Sequence, residues 1–350
     1  MALHSATMDA ARHCPAALSF AGGSLMRLIA SLVIVVSAPA AAADASTVRP
    51  VSTYSIVARD ASTGELGVAV QSHWFSVGPI VPWAESGVGA VATQSFVEPS
   101  YGPLGLAMMR VGKTAPEALA ALLAGDAQRE VRQVGMVDAK GNVATFTGKL
   151  DIPAAGGQEG KGYVVQANLM EKATVWPAMA RAFEAAKGDL ADRMLAALDA
   201  AQAEGGDIRG RQSAAIVVVK GTPSGRPWAD RTFDLRVEDH PDPLGELRRL
   251  VGVQRAYNRM GAGDECVALK DWGCAEREYG AAEGLMPENA EMAFWHAVAL
   301  ASNGRLDAAR PLFRRAFTAD PRWRELVRRL PGVEQLPKDP KLMEEIVGIR

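Results

Sequence analysis

The feature that most constrains the fold is a recurring pair of apolar runs joined by a tight glycine turn. Residues 51–72, VSTYSIVARDASTGELGVAVQS, hold two such runs with Gly64 at the turn. Side chains that switch face at every residue require a sheet, and so short a connection makes the two strands antiparallel. The pattern returns in RQVGMVDAKGNVATFTG (132–148), which turns at Gly141. GVGAVATQSF (87–96) reads as another strand, apolar enough for burial on both faces. SAAIVVVK (213–220) and TFDLRVED (232–239) supply late strands. Helical patterns lie between these blocks. Thr114 and Glu117 form a T-x-x-E capping box ahead of ALAALLAG. WPAMARAFEAAKG and DLADRMLAALDAAQAEGG are amphipathic, the second with Asp189 as N-cap and Gly205 just past its end. Antiparallel hairpins with helices segregated between them predict layered α+β architecture rather than a doubly wound sheet.

From about Leu244 the pattern becomes helical. Ala275, Tyr279, Ala282 and Pro287 recur, 34 residues on, as Ala309, Phe313, Ala316 and Pro321. This spacing resembles the second half of a tetratricopeptide repeat: small residues let two helices approach, the aromatic fills the groove, and proline ends the helix. Two repeats are fewer than the roughly three needed for independent stability, so they are expected to pack on the first domain or on another protomer. Cys266 and Cys274 flank the turn of the first repeat on facing helices; a disulfide and a pair of buried small residues are both open readings. Eight arginines between Arg305 and Arg329 face Asp307, Asp320 and Glu325. Such a run is more often a solvated helix face than a surface for an anionic partner.

The N-terminal stretch MRLIASLVIVVSAPAAAADAS (26–46) has the order of a secretory signal: Arg27, an apolar run, then small residues. Cleavage is expected after Ala43, with Ala40 and Ala42 as alternatives, and Met26 is a plausible start. The apolar run is shorter than the roughly 20 residues of a membrane span. A periplasmic or secreted protein with no stable membrane span after cleavage is therefore expected. The expected organisation is a signal region at 1–43, a linker or propeptide at 44–52, a hairpin-rich domain at 53–250, helical repeats at 251–330 and a tail at 331–350. A net charge of -2 gives no reason to expect nucleic acid as a partner. Three cysteines, Cys14, Cys266 and Cys274, are too few for a disulfide scaffold or a four-thiolate zinc site. Beyond the signal region the histidines are His73, His240 and His296, so a multi-histidine metal site is not expected. H-E-x-x-H, G-x-S-x-G and Walker A motifs are absent.

Uncharged polar groups gather at the ends of the predicted strands, in QSHWF (71–75), TQSFVEPSYG (93–102), GDIRGRQSAA (206–215) and EDHPDP (238–243). Hydroxyls, amides, a histidine and an arginine there offer a nucleophile, oxyanion donors and a carboxylate clamp, although each group alone suits ordinary turn chemistry. Together with TYSIVARD, GELGVAVQS, VGPIVPWA, YGPLGL and RQVGMVDAKG, these blocks resemble the domain-of-unknown-function 1028 family across about residues 53–250.

That resemblance implies the N-terminal-nucleophile (Ntn) hydrolase fold, a four-layer αββα sandwich, here followed by the all-α tetratricopeptide-like module. Ntn hydrolases use a Thr, Ser or Cys at the head of the first strand, and its freed α-amine serves as base. Thr53 occupies that position. The family resemblance does not itself give a reaction; on the Ntn fold the leading expectation is an amide or peptide-bond hydrolase that needs no cofactor, in which Gln94 or Asn168 holds the oxyanion and Arg211 clamps a substrate carboxylate. Ser72, His73, Gln212, Ser213, Asp239 and His240 are the candidate supports. Proteasome-like members carry an acid at the end of the second strand, where this chain has Gln71 and Ser72, and a lysine on the third, where it has Trp83 and Glu85; His73 is a candidate substitute as base or charge partner. Strand-rich Ntn domains commonly associate, so a homo-oligomer is a further expectation, and residues 251–330 are the expected contact for a protein partner. The competing reading is a non-catalytic periplasmic ligand-binding or assembly scaffold. The two diverge at one bond, Ser52–Thr53, because Thr53 needs a free amine to act.

Overall fold

The computed structural model describes residues 50–350; the expected signal region and residues 44–49 lie outside the described residues. Among the described residues ten strands and ten α-helices alternate in blocks. The strands are β1 (Thr53–Arg59), β2 (Leu66–Ser72), β3 (Pro82–Glu85), β4 (Gly89–Ser95), β5 (Arg132–Asp138), β6 (Val143–Thr147), β7 (Gly156–Gly160), β8 (Tyr163–Ala167), β9 (Ser213–Val219) and β10 (Arg231–Val237). The helices are α1 (Tyr101–Arg110), α2 (Ala115–Gly125), α3 (Val175–Ala185), α4 (Leu190–Ala203), α5 (Pro243–Ala268), α6 (Trp272–Leu285), α7 (Ala290–Ser302), α8 (Leu306–Ala319), α9 (Arg322–Arg329) and α10 (Pro340–Val347).

The strands form two antiparallel sheets, one ordered β10-β9-β2-β1-β8-β7 and the other β3-β4-β5-β6. They lie face to face, with β1 and β2 over β4 and β8 over β5. Helices α3 and α4 cover the outer face of the larger sheet, and α1 and α2 cover that of the smaller. Ile56, Val165 and Ile216 project outward to meet Phe183, Met194 and Leu198 of the helices. Val57, Val68, Val70 and Val217 project inward to the space between the sheets. Strands apolar on both faces are what this placement requires, because β1, β2 and β9 are covered on both sides.

The local signals hold. The 53–72 hairpin pairs Thr53 with Ser72 and Arg59 with Leu66, and Gly64 takes a φ of 76°, a conformation that costs glycine little. Thr114 and Glu117 form the reciprocal capping box of α2, and the Asp189 carboxylate caps α4 through Asp192 N–H at 2.9 Å.

The boundary expected at 250/251 falls inside α5. This 26-residue helix buries Leu244, Leu247 and Val251 against the larger sheet and α4, then Ala256, Met260 and Cys266 against α6 and α7. One continuous helix thus joins the helical region to the sheets. Ala275, Tyr279 and Ala282 on α6, and Ala309, Phe313 and Ala316 on α8, are all buried. Residues 331–350, expected as a tail, instead carry α10, and Leu336, Ile346 and Ile349 join the apolar cluster of α7 and α8. Cys266 and Cys274 are joined in a disulfide. Six of the eight arginines of the run pair with carboxylates of the protein: Arg305 with Glu276, Arg310 with Asp307 and Glu345, Arg315 with Glu283, Arg322 with Asp320, and Arg328 and Arg329 with Glu325, while Arg314 and Arg324 donate to the backbone carbonyls of Arg350 and Ile349. The run is a solvated face, as such runs usually are. Among the described residues no helix is long and apolar enough to cross a membrane.

Candidate active site

Thr53 stands where the chain crosses from one sheet to the other. Two residues earlier, Val51 bridges to the end of β4: Val51 N–H donates to Ser95 O at 2.7 Å and Ser95 N–H to Val51 O at 3.1 Å. At Thr53 the chain has entered the larger sheet opposite Ser72. Ser52, between them, is fully buried, as is Thr53. Thr53 Oγ1 lies 2.8 Å from Val51 O and 3.2 Å from Ser72 Oγ, and its single proton serves one of these acceptors at a time. Ser72 Oγ in turn donates to the carbonyl of Ser52. A second donor reaches the same carbonyl, Arg209 Nη2 at 3.2 Å. The peptide bond preceding Thr53 therefore has its carbonyl polarised by a hydroxyl and a guanidinium, with the Thr53 and Ser72 hydroxyls side by side.

Arg209 is held by Asp207 through two bonds, Nε to Oδ1 at 3.0 Å and Nη2 to Oδ2 at 2.8 Å. The Asp207 side chain is fully buried. It also accepts the backbone N–H groups of Arg209 at 2.9 Å and His73 at 3.2 Å, which tie the loop before β9 to the loop after β2. Burying a carboxylate is tolerable only with this degree of pairing.

Gln94 and Asn168 lie behind Thr53, on its carbonyl side. Gln94 Nε2 donates to Thr53 O at 3.2 Å and to Gln133 Oε1 at 2.7 Å. Asn168 donates its backbone N–H to Thr53 O at 3.1 Å and its side-chain amide to Gln133 Oε1 at 2.9 Å. Ser55 and Gln166 extend this buried amide layer, with Gln166 Nε2 3.1 Å from Ala92 O. The layer fixes the backbone of Thr53. The donors aimed at the carbonyl beside its hydroxyl belong to Ser72 and Arg209.

The remaining expected residues are placed elsewhere. Arg211 is half exposed and reaches Asp242 at 3.3 Å. Gly210, with a φ of 111°, reverses the chain between positions 209 and 211, so the two arginines diverge. Ser213 sits opposite Ser72 in the sheet but donates to Trp74 O and accepts from Val77 N–H at 3.2 Å. Gln212 O accepts His240 N–H at 2.8 Å, and His240 Nδ1 accepts from Asp242 N–H at 3.0 Å; both serve the turn into α5. Asp239 is exposed. His73 enters through its backbone, and its Nδ1 is buried without a hydrogen-bond partner.

Sequence reasoning missed Arg209, Asp207, Ser95 and Asp151. Glycines at 205, 206 and 210 bracketing Asp-Ile-Arg were the available signal for the first two. Asp151 had none. It lies between β6 and β7 and accepts the Ser95 hydroxyl at 2.5 Å, while its Oδ2 is buried without a partner. Burial pushes its carboxyl up to about 7, outweighing the opposing effects of the Ser95 hydroxyl and the Gly148 backbone. Burial likewise raises the Tyr54 phenol, whose hydroxyl meets Gln71 and Gln202. Among the described residues no group of three or more His, Cys, Asp or Glu is arranged to hold a metal ion.

A family model described as a family of unknown function, DUF1028, matches residues 53–247. No curated protein matches the chain. Among solved structures, the chain is similar to the crystal structure of a Silicibacter pomeroyi protein assigned to the same family. The two are 30% identical with a TM-score of 0.51, over 57% of this chain and 87% of the other.

Proposed function

The chain belongs to the DUF1028 family, and from that premise we propose that it is an exported amide hydrolase of the Ntn type with Thr53 as nucleophile. The observation that carries this reading is the Ser52 carbonyl, held by the Ser72 hydroxyl and Arg209 beside the Thr53 hydroxyl. Two facing sheets between helical layers, with Thr53 at the head of a central strand, support the αββα sandwich assignment. The buried alanine and aromatic positions of α6 and α8 support a tetratricopeptide-like module for protein contact. The Cys266–Cys274 bridge suits an oxidising compartment.

The chemistry begins with the chain's own bond. Thr53 Oγ1 turns from Val51 O and attacks the Ser52 carbonyl carbon. A C–O bond forms, the proton passes from Oγ1 to the Thr53 nitrogen, and the C–N bond breaks. Water then hydrolyses the ester and leaves Thr53 as a chain end. Its α-amine, with an ordinary pKa of about 8, is partly neutral near pH 7 and serves as base for Oγ1. Ser72 and Arg209 then stabilise the oxyanion of a substrate amide, the role expected above for Gln94 or Asn168.

A specific observation favours the second reading, a non-catalytic scaffold. Val51 is 1% exposed within the inter-sheet core, and both its backbone groups are bonded to Ser95. Releasing it forfeits about 1.5–3 kcal/mol of apolar burial. The N-terminus of the mature protein separates the two. Intact mass of the wild-type chain should place it at Thr53, and Thr53→Ala should leave residues 50–52 attached. A wild-type chain that begins upstream of Thr53 rejects the hydrolase and supports the scaffold.

A further inference from the structure

We infer that residues 51 and 52 mark the acyl subsites of this protein, and that its substrate is an extended peptide bearing a small residue just before the cleaved amide and an apolar residue before that. The inference rests on the hydrolase reading above and deepens it. Any acyl group carried by Thr53 Oγ1 must place its carbonyl between the donors that now hold the Ser52 carbonyl, Ser72 Oγ and Arg209 Nη2. The resident segment is therefore an imprint of the acyl half of a substrate.

Three properties of the imprint define the class. At the first position the Ser52 side chain is fully enclosed and its Oγ has no hydrogen-bond partner. A space that closes on a serine and offers its hydroxyl nothing fits alanine at least as well, and excludes an aromatic ring. At the second position the Val51 side chain lies in the apolar cluster between the sheets, which includes Val70, Val77, Val81 and Ala92. The backbone there is read on both sides by Ser95, whose N–H and C=O pair with Val51 as a neighbouring strand would. Pro50, next upstream, is only partly buried, so the site opens outward and accepts peptides extended toward their N-terminus. Once the amide is cut, the new carboxylate faces a guanidinium and a hydroxyl, a charge-assisted pairing that retains the acid product.

The test uses the mature protein recovered from its host, with its N-terminus read by intact mass and peptide binding by calorimetry. On a chain that begins at Thr53, acetyl-Pro-Val-Ala should bind, acetyl-Pro-Val-Phe should bind at least tenfold more weakly, and N-methylation of the valine should weaken acetyl-Pro-Val-Ala by a similar factor. Equal binding of the alanine and phenylalanine peptides, insensitivity to N-methylation, or no binding by any of them overturns the inference while leaving the hydrolase reading standing. A chain that begins upstream of Thr53 overturns both.

Discussion

Replacing Asp151 by asparagine should abolish a distinct slope in the pH dependence of stability. Asp151 is 8% exposed, its Oδ2 has no partner, and burial holds its proton up to about pH 7 against the ordinary 3.8. Most carboxylates that matter to stability are depressed in the folded state; this one is raised, so its sign is reversed. Below pH 3.8 the carboxyl is protonated in both states and contributes no penalty. As pH rises from there to about 7, the unfolded chain releases the proton and the folded chain keeps it, so stability falls across that window and then levels off. A gap of roughly 3 units at about 1.36 kcal/mol each gives a loss of about 4 kcal/mol. Asparagine retains the acceptor for the Ser95 hydroxyl and does not titrate. Its extra amide donor has no partner and costs about 1–3 kcal/mol, but equally at every pH. The quantity to read is therefore the difference in unfolding free energy between wild type and Asp151→Asn, from urea titrations between pH 4 and pH 8. Groups common to both proteins cancel in it. The difference should shift in favour of the variant by several kcal/mol as pH rises, with most of the change complete by about pH 7. A difference constant to within about 1 kcal/mol over the range would refute the assignment of a buried, neutral Asp151.

Other substitutions probe the framework of the site and the disulfide of the helical region. Gly148→Ala places a Cβ 2.2 Å from the backbone carbonyl oxygen of Glu130, which cannot rotate away, and should cost about 1–3 kcal/mol or more in thermal or urea unfolding. Arg209→Ala strips the buried Asp207 carboxylate of its cation and should destabilise by about 3 kcal/mol, with Arg209→Lys recovering part of the loss. It should also slow release of residues upstream of Thr53, measured by intact mass over time, because one of the two donors to the Ser52 carbonyl is gone. The Cys266–Cys274 bridge closes a loop of sequence separation 8 and should contribute about 2–3 kcal/mol by restricting the unfolded chain. Reductant should lower the melting temperature of the wild type and leave a Cys266→Ser, Cys274→Ser variant unmoved.

What the sequence determined by itself is what neighbouring residues decide among themselves. The hairpins turning at Gly64 and Gly141, the capping box of Thr114 and Glu117, the Asp189 cap and the spacing of the buried alanine and aromatic positions on α6 and α8 all depend on contacts a few residues apart, or on a period that one element imposes. Thr53 at the head of a strand, with Ser72 at the end of the next, followed from the first hairpin alone. Elements whose reasons lie elsewhere in the chain were hidden. Strands β7 and β8 are obscured by Gly156, Gly157, Gly160 and Gly162, yet side chains at 156 and 160 would collide with Trp176 and Tyr163. Helix α1 contains Gly102 and Gly105, poor helix formers, and Gly102 is required because Trp83 of the facing strand occupies the space of a side chain. The site was hidden in the same way. Arg211 and Arg209 are alike in sequence, and only the turn at Gly210 decides that Arg209 meets the Ser52 carbonyl while Arg211 meets Asp242. Gln94 and Asn168 are amides near Thr53 in either view, but the stacking of the two sheets commits them to the carbonyl of Thr53 and to Gln133. Local sequence chose the strands and placed the hydroxyl. The packing of one sheet on another chose its partners, because the distances that matter here join residues 20 to 157 positions apart.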